Sequence, residues 1–368
     1  MALAGLEFEQ GNSVTALSGK NLLWKSVCLP VLSGMLFLTT LVFLPTGTAR
    51  AAEVPHAVVL MYHRFGENTL PSTNIRLEQL EAHIAEIKTG GFTVWKLDRV
   101  VEHIRSGKAL PDRTLAITID DAYASIYAEA WPRFKAAGFP FTIFVSTDQV
   151  GRSNNYLTWD QIREMQAAGV LIGHHGAGHA HMADSGLAAA KRDMKRADEA
   201  FEKELGHIPK IFAYPYGETS LALRNVIAEA GFTAAFGQHS GVSNSSDDPW
   251  YLPRFALNES YGSMDRFRLA ANALPVPTRD VSPADMLVTD NPPAYGFSVE
   301  GDIPGISQLS CFASHIGKTV RTELLGPSRI EVRFSEPFPK GRSRINCTLR
   351  DDSGRWRWLG RLFYVPKN

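Results

Sequence analysis

From residue 57 onward, short apolar runs alternate with helical patterns, and this alternation limits the fold more than any other feature of the chain. AVVLMYH, FTVWKL, TLAITID, FTIFVS, VLIG, IFAYP and FTAAFG have the length and β-branched content of buried strands. Between them lie RLEQLEAHIAEIKTGG, YAEAWPRFKAAG, TWDQIREMQAAG, AAAKRDMKRADEAFEKELG and LALRNVIAEAG, which end in glycine as helix C-termini often do. Repeated βα units imply a parallel sheet covered by helices, and this many repeats fit a closed or partly closed barrel better than an open sheet. Active residues then belong at the C-terminal strand ends. Asp120 and Asp121 close one strand, His174 and His175 another, and Pro215 and Tyr216 a third, so all three clusters share one rim.

The predicted class is α/β: a distorted (β/α) barrel over residues 52–273, followed by a small all-β domain. Prolines 275, 277 and 283 mark residues 274–283 as a linker. Beyond it, FSVEG, RIEVRFS, RINCTLRD and RWLGRLFYV alternate with period two, predicting a β-sandwich-like domain over 284–368. Trp356 and Trp358 share one strand face there, either as a sugar platform or, the favoured reading, as core beneath a second sheet.

At the N-terminus, the apolar run 29–45 follows Lys20 and Lys25 and precedes Ala49-Arg50-Ala51, a signal-peptidase pattern that predicts a leader over 1–51. The alternative is an uncleaved membrane tether; both readings export the catalytic part, to the periplasm or beyond the cell. Cys28 lies in this leader, which leaves Cys311 and Cys347 to form a disulfide in an oxidising compartment, against the alternative of two separate thiols. Basic and acidic residues both number 38, so the overall charge suggests no nucleic-acid partner and no strongly anionic substrate.

Two adjacent carboxylates at the end of a buried strand repel each other unless something neutralises them. A divalent cation held by Asp121, His175 and His179 would do so, with the open position that a catalytic zinc requires. Two plainer readings stand beside this: a helix N-cap for the aspartates, and incidental loop composition for HHGAGHAH.

Ile-Thr-Ile-Asp120-Asp121-Ala-Tyr, Gly173-His174-His175-Gly-Ala-Gly-His179 and Phe212-Ala-Tyr-Pro215-Tyr216-Gly217 resemble the three leading motifs of the polysaccharide deacetylase family, carbohydrate esterase family four. Val-Leu-Met-Tyr-His63-Arg resembles the branch acting on exported poly-N-acetylglucosamine glycans. The resemblance implies that Asp121, His175 and His179 bind the metal, most directly zinc, with cobalt, nickel or iron as alternatives. It makes Asp120 the general base toward a water activated by that metal, and the Tyr216 backbone N–H a donor to the oxyanion. The implied activity is N-deacetylation of an N-acetylated polysaccharide or oligosaccharide. A hydrolase of a non-sugar amide and a non-catalytic glycan-binding protein are the competing readings.

The chain departs from the pattern in three places. Gly176 replaces a threonine or serine, Ala213 replaces the arginine that orients the base, and the late leucine-and-histidine motif supplying the acid is missing. Arg254 in Trp250-Tyr-Leu-Pro-Arg254 is the candidate replacement for the arginine, and His63, ending the first strand, is the candidate acid. Pro215, Tyr216, Trp250 and Arg254 are the expected substrate-side residues.

Overall fold

The computed structural model describes residues 53–367, so the expected leader and its cleavage site lie outside the described residues. Among those described, no helix is long and apolar enough to cross a membrane.

Strands β1 (His56–Tyr62), β2 (Thr114–Asp120), β3 (Thr142–Val145), β4 (Leu171–His174), β5 (Ile211–Ala213) and β6 (Ala234–Phe236) pair in parallel in that order. The sheet curls until Leu252 bridges to Phe236 and β7 (Phe255–Ala256) pairs in parallel with β1, bringing first and last strands together. FTVWKL contributes only the two-residue strand Thr93–Val94 beside the start of β2.

Period-two alternation explains the layering. Leu115, Ile117 and Ile119 of β2 face outward into the core beneath the helices, while Ala116 joins Val59, Phe144, Ala213, Phe236 and Leu252 inside. Thr118 and Asp120, two and four residues beyond Ala116, continue the inward face. The helix Leu97–Ser106 closes the bottom with Leu97, Val100, Val101 and Ile104, the i, i+3, i+4, i+7 stripe of an amphipathic helix. Burying each such side chain contributes about 1.5–3 kcal/mol.

One buried polar group makes the outer core pH-sensitive. His83, on the helix Leu77–Thr89, stacks on Phe267 at 4.2 Å. Its Nε2 must carry the proton, because it lies 2.9 Å from the Gly262 carbonyl; Nδ1 then accepts from the Tyr62 hydroxyl at 3.1 Å. Burial pushes its pKa down from 6.5 to about 4. Between those values the unfolded chain binds a proton that the folded one refuses, so stability falls as pH drops from 6.5 to 4, by about 3 kcal/mol in full. Urea unfolding across pH 7 to 4 should show this slope, and His83→Gln should flatten it; an unchanged slope would assign the titration to another group.

The C-terminal part is one sheet rather than two. Strands β8 (Leu274–Pro275), β9 (Thr278–Ser282), β10 (Tyr295–Val299), β11 (Ser310–Ala313), β12 (Lys318–Leu325), β13 (Arg329–Arg333), β14 (Gly341–Arg350) and β15 (Trp356–Val365) take the spatial order β8-β15-β14-β11-β12-β13-β10-β9. β12 pairs β11 through its first residues and β13 through its last, passing from one half of the sheet to the other. Tyr295, Phe297, Ile330 and Val332 of one half share a core with Cys311, Ile345, Cys347 and Leu349 of the other, so the sheet folds over on itself. Cys311 and Cys347, register partners on β11 and β14, are joined by a disulfide.

Residues 274–283, expected as a linker, carry the two edge strands of this sheet. The edges tolerate their prolines because an edge strand needs fewer ladder donors. The sheet docks closely on the barrel at Gly360, where an added Cβ would sit 1.7 Å from the Ser240 carbonyl oxygen. Two residues earlier on β15, Trp358 is half-buried against the barrel's outer core, not beneath a second sheet.

Candidate metal centre and cleft

Asp120 lies on the inward face of β2 and is fully buried. Asp121 follows with φ 77° and Ala122 with φ 56°, a left-handed turn that swings the second carboxylate onto the rim beside the first. The other two residues come from the loop after β4. Gly173 cannot carry a side chain, since a Cβ would lie 2.4 Å from the Phe144 ring, and His174 points outward among Phe201, Phe212 and Phe232. His175 therefore turns in and His179 arrives with φ 52°. Asp193, buried on the helix Leu187–Leu205, holds this loop by accepting from the N–H groups of Ala177 at 2.8 Å and Gly178 at 2.9 Å. Gly176 has no room for a threonine or serine, because its Cβ would meet Asp193 Oδ2 at 2.6 Å.

Ligand atoms of Asp121, His175 and His179 all lie within 4.8 Å of one another. His175 Nδ1 is 2.7 Å from the Ala213 carbonyl and so carries a proton, which leaves Nε2 of the neutral ring with a lone pair. That lone pair faces Asp121 Oδ1 at 3.3 Å, and both atoms are buried without a hydrogen-bond partner. Two acceptors so placed call for a cation between them, so the donor set fits a divalent metal. Burial pushes the Asp121 carboxyl up, but the facing histidines outweigh it and hold it well below the usual range. His179 Nε2 is 3.0 Å from the same oxygen; burial lowers its pKa, and Asp121 more than compensates.

Ala213 offers no charged side chain to Asp120, and Arg254 approaches that carboxylate instead. It lies between Leu252 and β7, in the segment that closes the barrel, and is fully buried. Its Nη1 and Nη2 donate to Asp120 Oδ1 and Oδ2 at 2.7 and 2.8 Å, and Nε donates to the Gly237 carbonyl at 2.9 Å. Burial pushes Asp120 up, but the Arg254 charge, with His175 behind it, brings the carboxyl below its usual value. The Arg254 guanidinium is therefore engaged by Asp120 and the barrel backbone and has no exposed surface. His63 Nε2 lies 3.9 Å from Asp120 Oδ2, and its ring is 13% exposed into the cleft. Burial lowers the His63 pKa, opposed by Asp121 and Asp120.

The cleft above the centre has a volume of about 600 Å³. Tyr216, in a left-handed turn with φ 59°, lines it between His179, 4.4 Å from its ring, and His181, stacked at 3.9 Å. Pro215 is buried beneath this turn. Trp250, expected on the substrate side, is placed elsewhere: its indole donates to the Phe232 carbonyl at 3.3 Å and packs with the outer cluster around Phe212 and Tyr251, and it does not line this cleft.

Asp193 was missed from sequence because it looks like one more charge on a solvated helix. The signal was there: Ala190, Met194, Ala197 and Phe201 form an apolar stripe, and Asp193 falls on it. The part played in the cleft by Phe312, Arg342, Arg344 and Asn346 had no signal short of the folded structure.

A curled parallel barrel thus carries an Asp-His-His group on its C-terminal rim. Residues 107–235 match the family model described as polysaccharide deacetylase. Among curated proteins it is 23% identical over 213 residues to a putative polysaccharide deacetylase of Bacillus subtilis, covering 57% of this chain and 74% of the relative. It is 22% identical over 212 residues to a poly-β-1,6-N-acetyl-D-glucosamine N-deacetylase of Staphylococcus aureus, covering 54% and 73%. Among solved structures, the IcaB structure from Ammonifex degensii aligns with TM-score 0.54 at 23% identity, over 60% of this chain and 98% of that one. The Streptococcus pyogenes deacetylase PplD aligns with TM-score 0.53 at 20% identity, over 56% and 95%. At these identities the structures attest the fold.

Proposed function

We propose that this protein is an exported, metal-dependent N-deacetylase of an N-acetylglucosamine-type polysaccharide. The observation that carries the reading is the buried Asp120–Arg254 pair set beside the unpartnered acceptors of Asp121 and His175. A divalent cation, zinc by its liking for an N, N, O set, would polarise the acetyl carbonyl and ease ionisation of a water.

The side chains supply the rest. Asp120, kept ionised and fixed in direction by Arg254, takes the proton from the attacking water. Tyr216 places its backbone N–H beside the developing oxyanion. As the C–N bond breaks to release acetate, His63 gives a proton to the departing amine, and its closeness to Asp120 lets the proton return between the two. The cleft is edged by exposed Tyr261 and Phe312 together with half-buried Trp358, aromatic faces against which sugar rings can pack. The disulfide agrees with export.

Metal-loaded protein should release acetate from N-acetylglucosamine oligomers, with the β-1,6 and β-1,4 series naming the preferred linkage. Dialysis against a chelator should abolish release and zinc should restore it, while Asp121→Ala should no longer retain one metal per chain. Release that survives metal removal, or no release from any oligomer by loaded protein, would overturn the reading.

A further inference from the structure

The cleft has a wall that belongs to none of the deacetylase motifs. Period two on β14 turns Ser343, Ile345 and Cys347 into the sheet's core and Arg342, Arg344 and Asn346 toward the cleft. Phe312 pairs with Asn346 across the sheet, and Asn346 Oδ1 accepts from the Trp358 indole at 3.1 Å. The docking of β15 at Gly360 brings this face over the metal centre, so Arg344, Trp358, Tyr216 and Asp121 line the same cleft. Arg266, on the helix Met264–Ala271, completes the wall, its guanidinium 4.8 Å from the Trp358 ring centre and 5.4 Å from that of Phe255.

These three arginines are not equally compensated. Arg342 donates to the Tyr216 carbonyl at 3.1 Å and lies 3.5 Å from buried Glu218, which is also held by His181 at 2.7 Å. Among the described residues, neither Arg344 nor Arg266 forms an ion pair with a carboxylate, and Arg266 Nη1 is buried without a hydrogen-bond partner. Burial first, and then the neighbouring Arg342 charge, hold Arg344 below its ordinary pKa, as expected of a cation lacking its anion. With Asp121 committed to the metal, the cleft carries net positive charge despite an overall balance of 38 basic and 38 acidic residues.

We infer that Arg344 and Arg266 form a subsite for an anionic group, a carboxylate or phosphate, borne by the glycan near the sugar that is deacetylated. Guanidinium groups recognise such oxyanions through paired, charge-assisted hydrogen bonds, and Trp358 offers an apolar face for the sugar that carries the charge. This assignment rests on the deacetylase reading for its sugar backbone and adds the charge of the substrate to it.

Calorimetry on the full protein separates the possibilities, using a neutral N-acetylglucosamine oligomer, one alternating with glucuronate, and one bearing glycerol phosphate. One or both anionic oligomers should bind at least about tenfold more tightly than the neutral one at low salt, and the tighter of the two names the source of the charge. The preference should shrink with added salt. Arg344→Gln and Arg266→Gln should each reduce it while changing the neutral oligomer's Kd by less than about twofold, and Arg344→Lys should keep part of it. Equal binding of all three by the native protein, or variants that weaken all three alike, would overturn the subsite. Acetate measured on the same samples keeps the readings apart. Charge-selective binding without acetate release would sink the deacetylase and leave the subsite, and release without charge preference would do the reverse.

Discussion

Arg254→Met is expected to cost about 3–5 kcal/mol of folding stability at neutral pH, because it leaves the Asp120 carboxylate buried and unpaired. The sign of the pH dependence follows from what Arg254 does to Asp120. In the native protein the folded pKa is depressed, so the pair contributes stability above the unfolded carboxylate value and loses it as pH falls through the folded one. Without the guanidinium, burial alone acts and the folded pKa rises above the unfolded value. The deficit of the variant is therefore largest at neutral pH and narrows toward the acid range. Chemical unfolding of native protein and variant between about pH 7.5 and about pH 3, a span that brackets the carboxylate range, checks this. A double variant Arg254→Met, Asp120→Leu should recover part of the loss, since both charges are gone. A constant deficit at every pH would mean that Arg254 stabilises by packing alone.

Asp120→Asn is expected to reduce acetate release by about 10²–10⁴-fold while one metal per chain is retained. The asparagine oxygen can still accept from Arg254 and the ligand set is untouched, but no group remains to take the water's proton. Some stability is lost as well, since Arg254 keeps its charge opposite a neutral partner, so the assay belongs at a temperature where near-ultraviolet circular dichroism shows the variant folded. Loss of metal together with activity would assign Asp120 to the ligand set instead. Full activity in the variant would remove it from the mechanism.

Much of the site could be read from local pattern. Position at the end of TLAITID put Asp120 and Asp121 on the rim, and His175, closing the strand VLIG, belongs to the same rim. Both features are short-range, and the structure shows them as a left-handed turn at Asp121 and a loop held by Asp193. His63 was recognisable by the same rule, since a residue ending a barrel strand faces the common rim.

Other parts depended on contacts far apart in sequence. Arg254 could be nominated from sequence but not assigned a partner, because nothing near it in the chain says that Leu252 and Phe255 close the barrel and carry it 134 positions back to Asp120. Trp250, only four residues earlier and expected on the substrate side, packs with the outer cluster, which no local pattern indicates.

The sequence by itself determined the strand and helix order, the rim on which the chemistry sits and the residues able to hold a metal, because strand period and strand-end position act over a few residues. Only the tertiary structure decided which arginine pairs with the base and which face of the C-terminal sheet overlooks the centre. Those outcomes depend on barrel closure and on one backbone contact at Gly360, and no local pattern encodes the direction in which two distant surfaces meet.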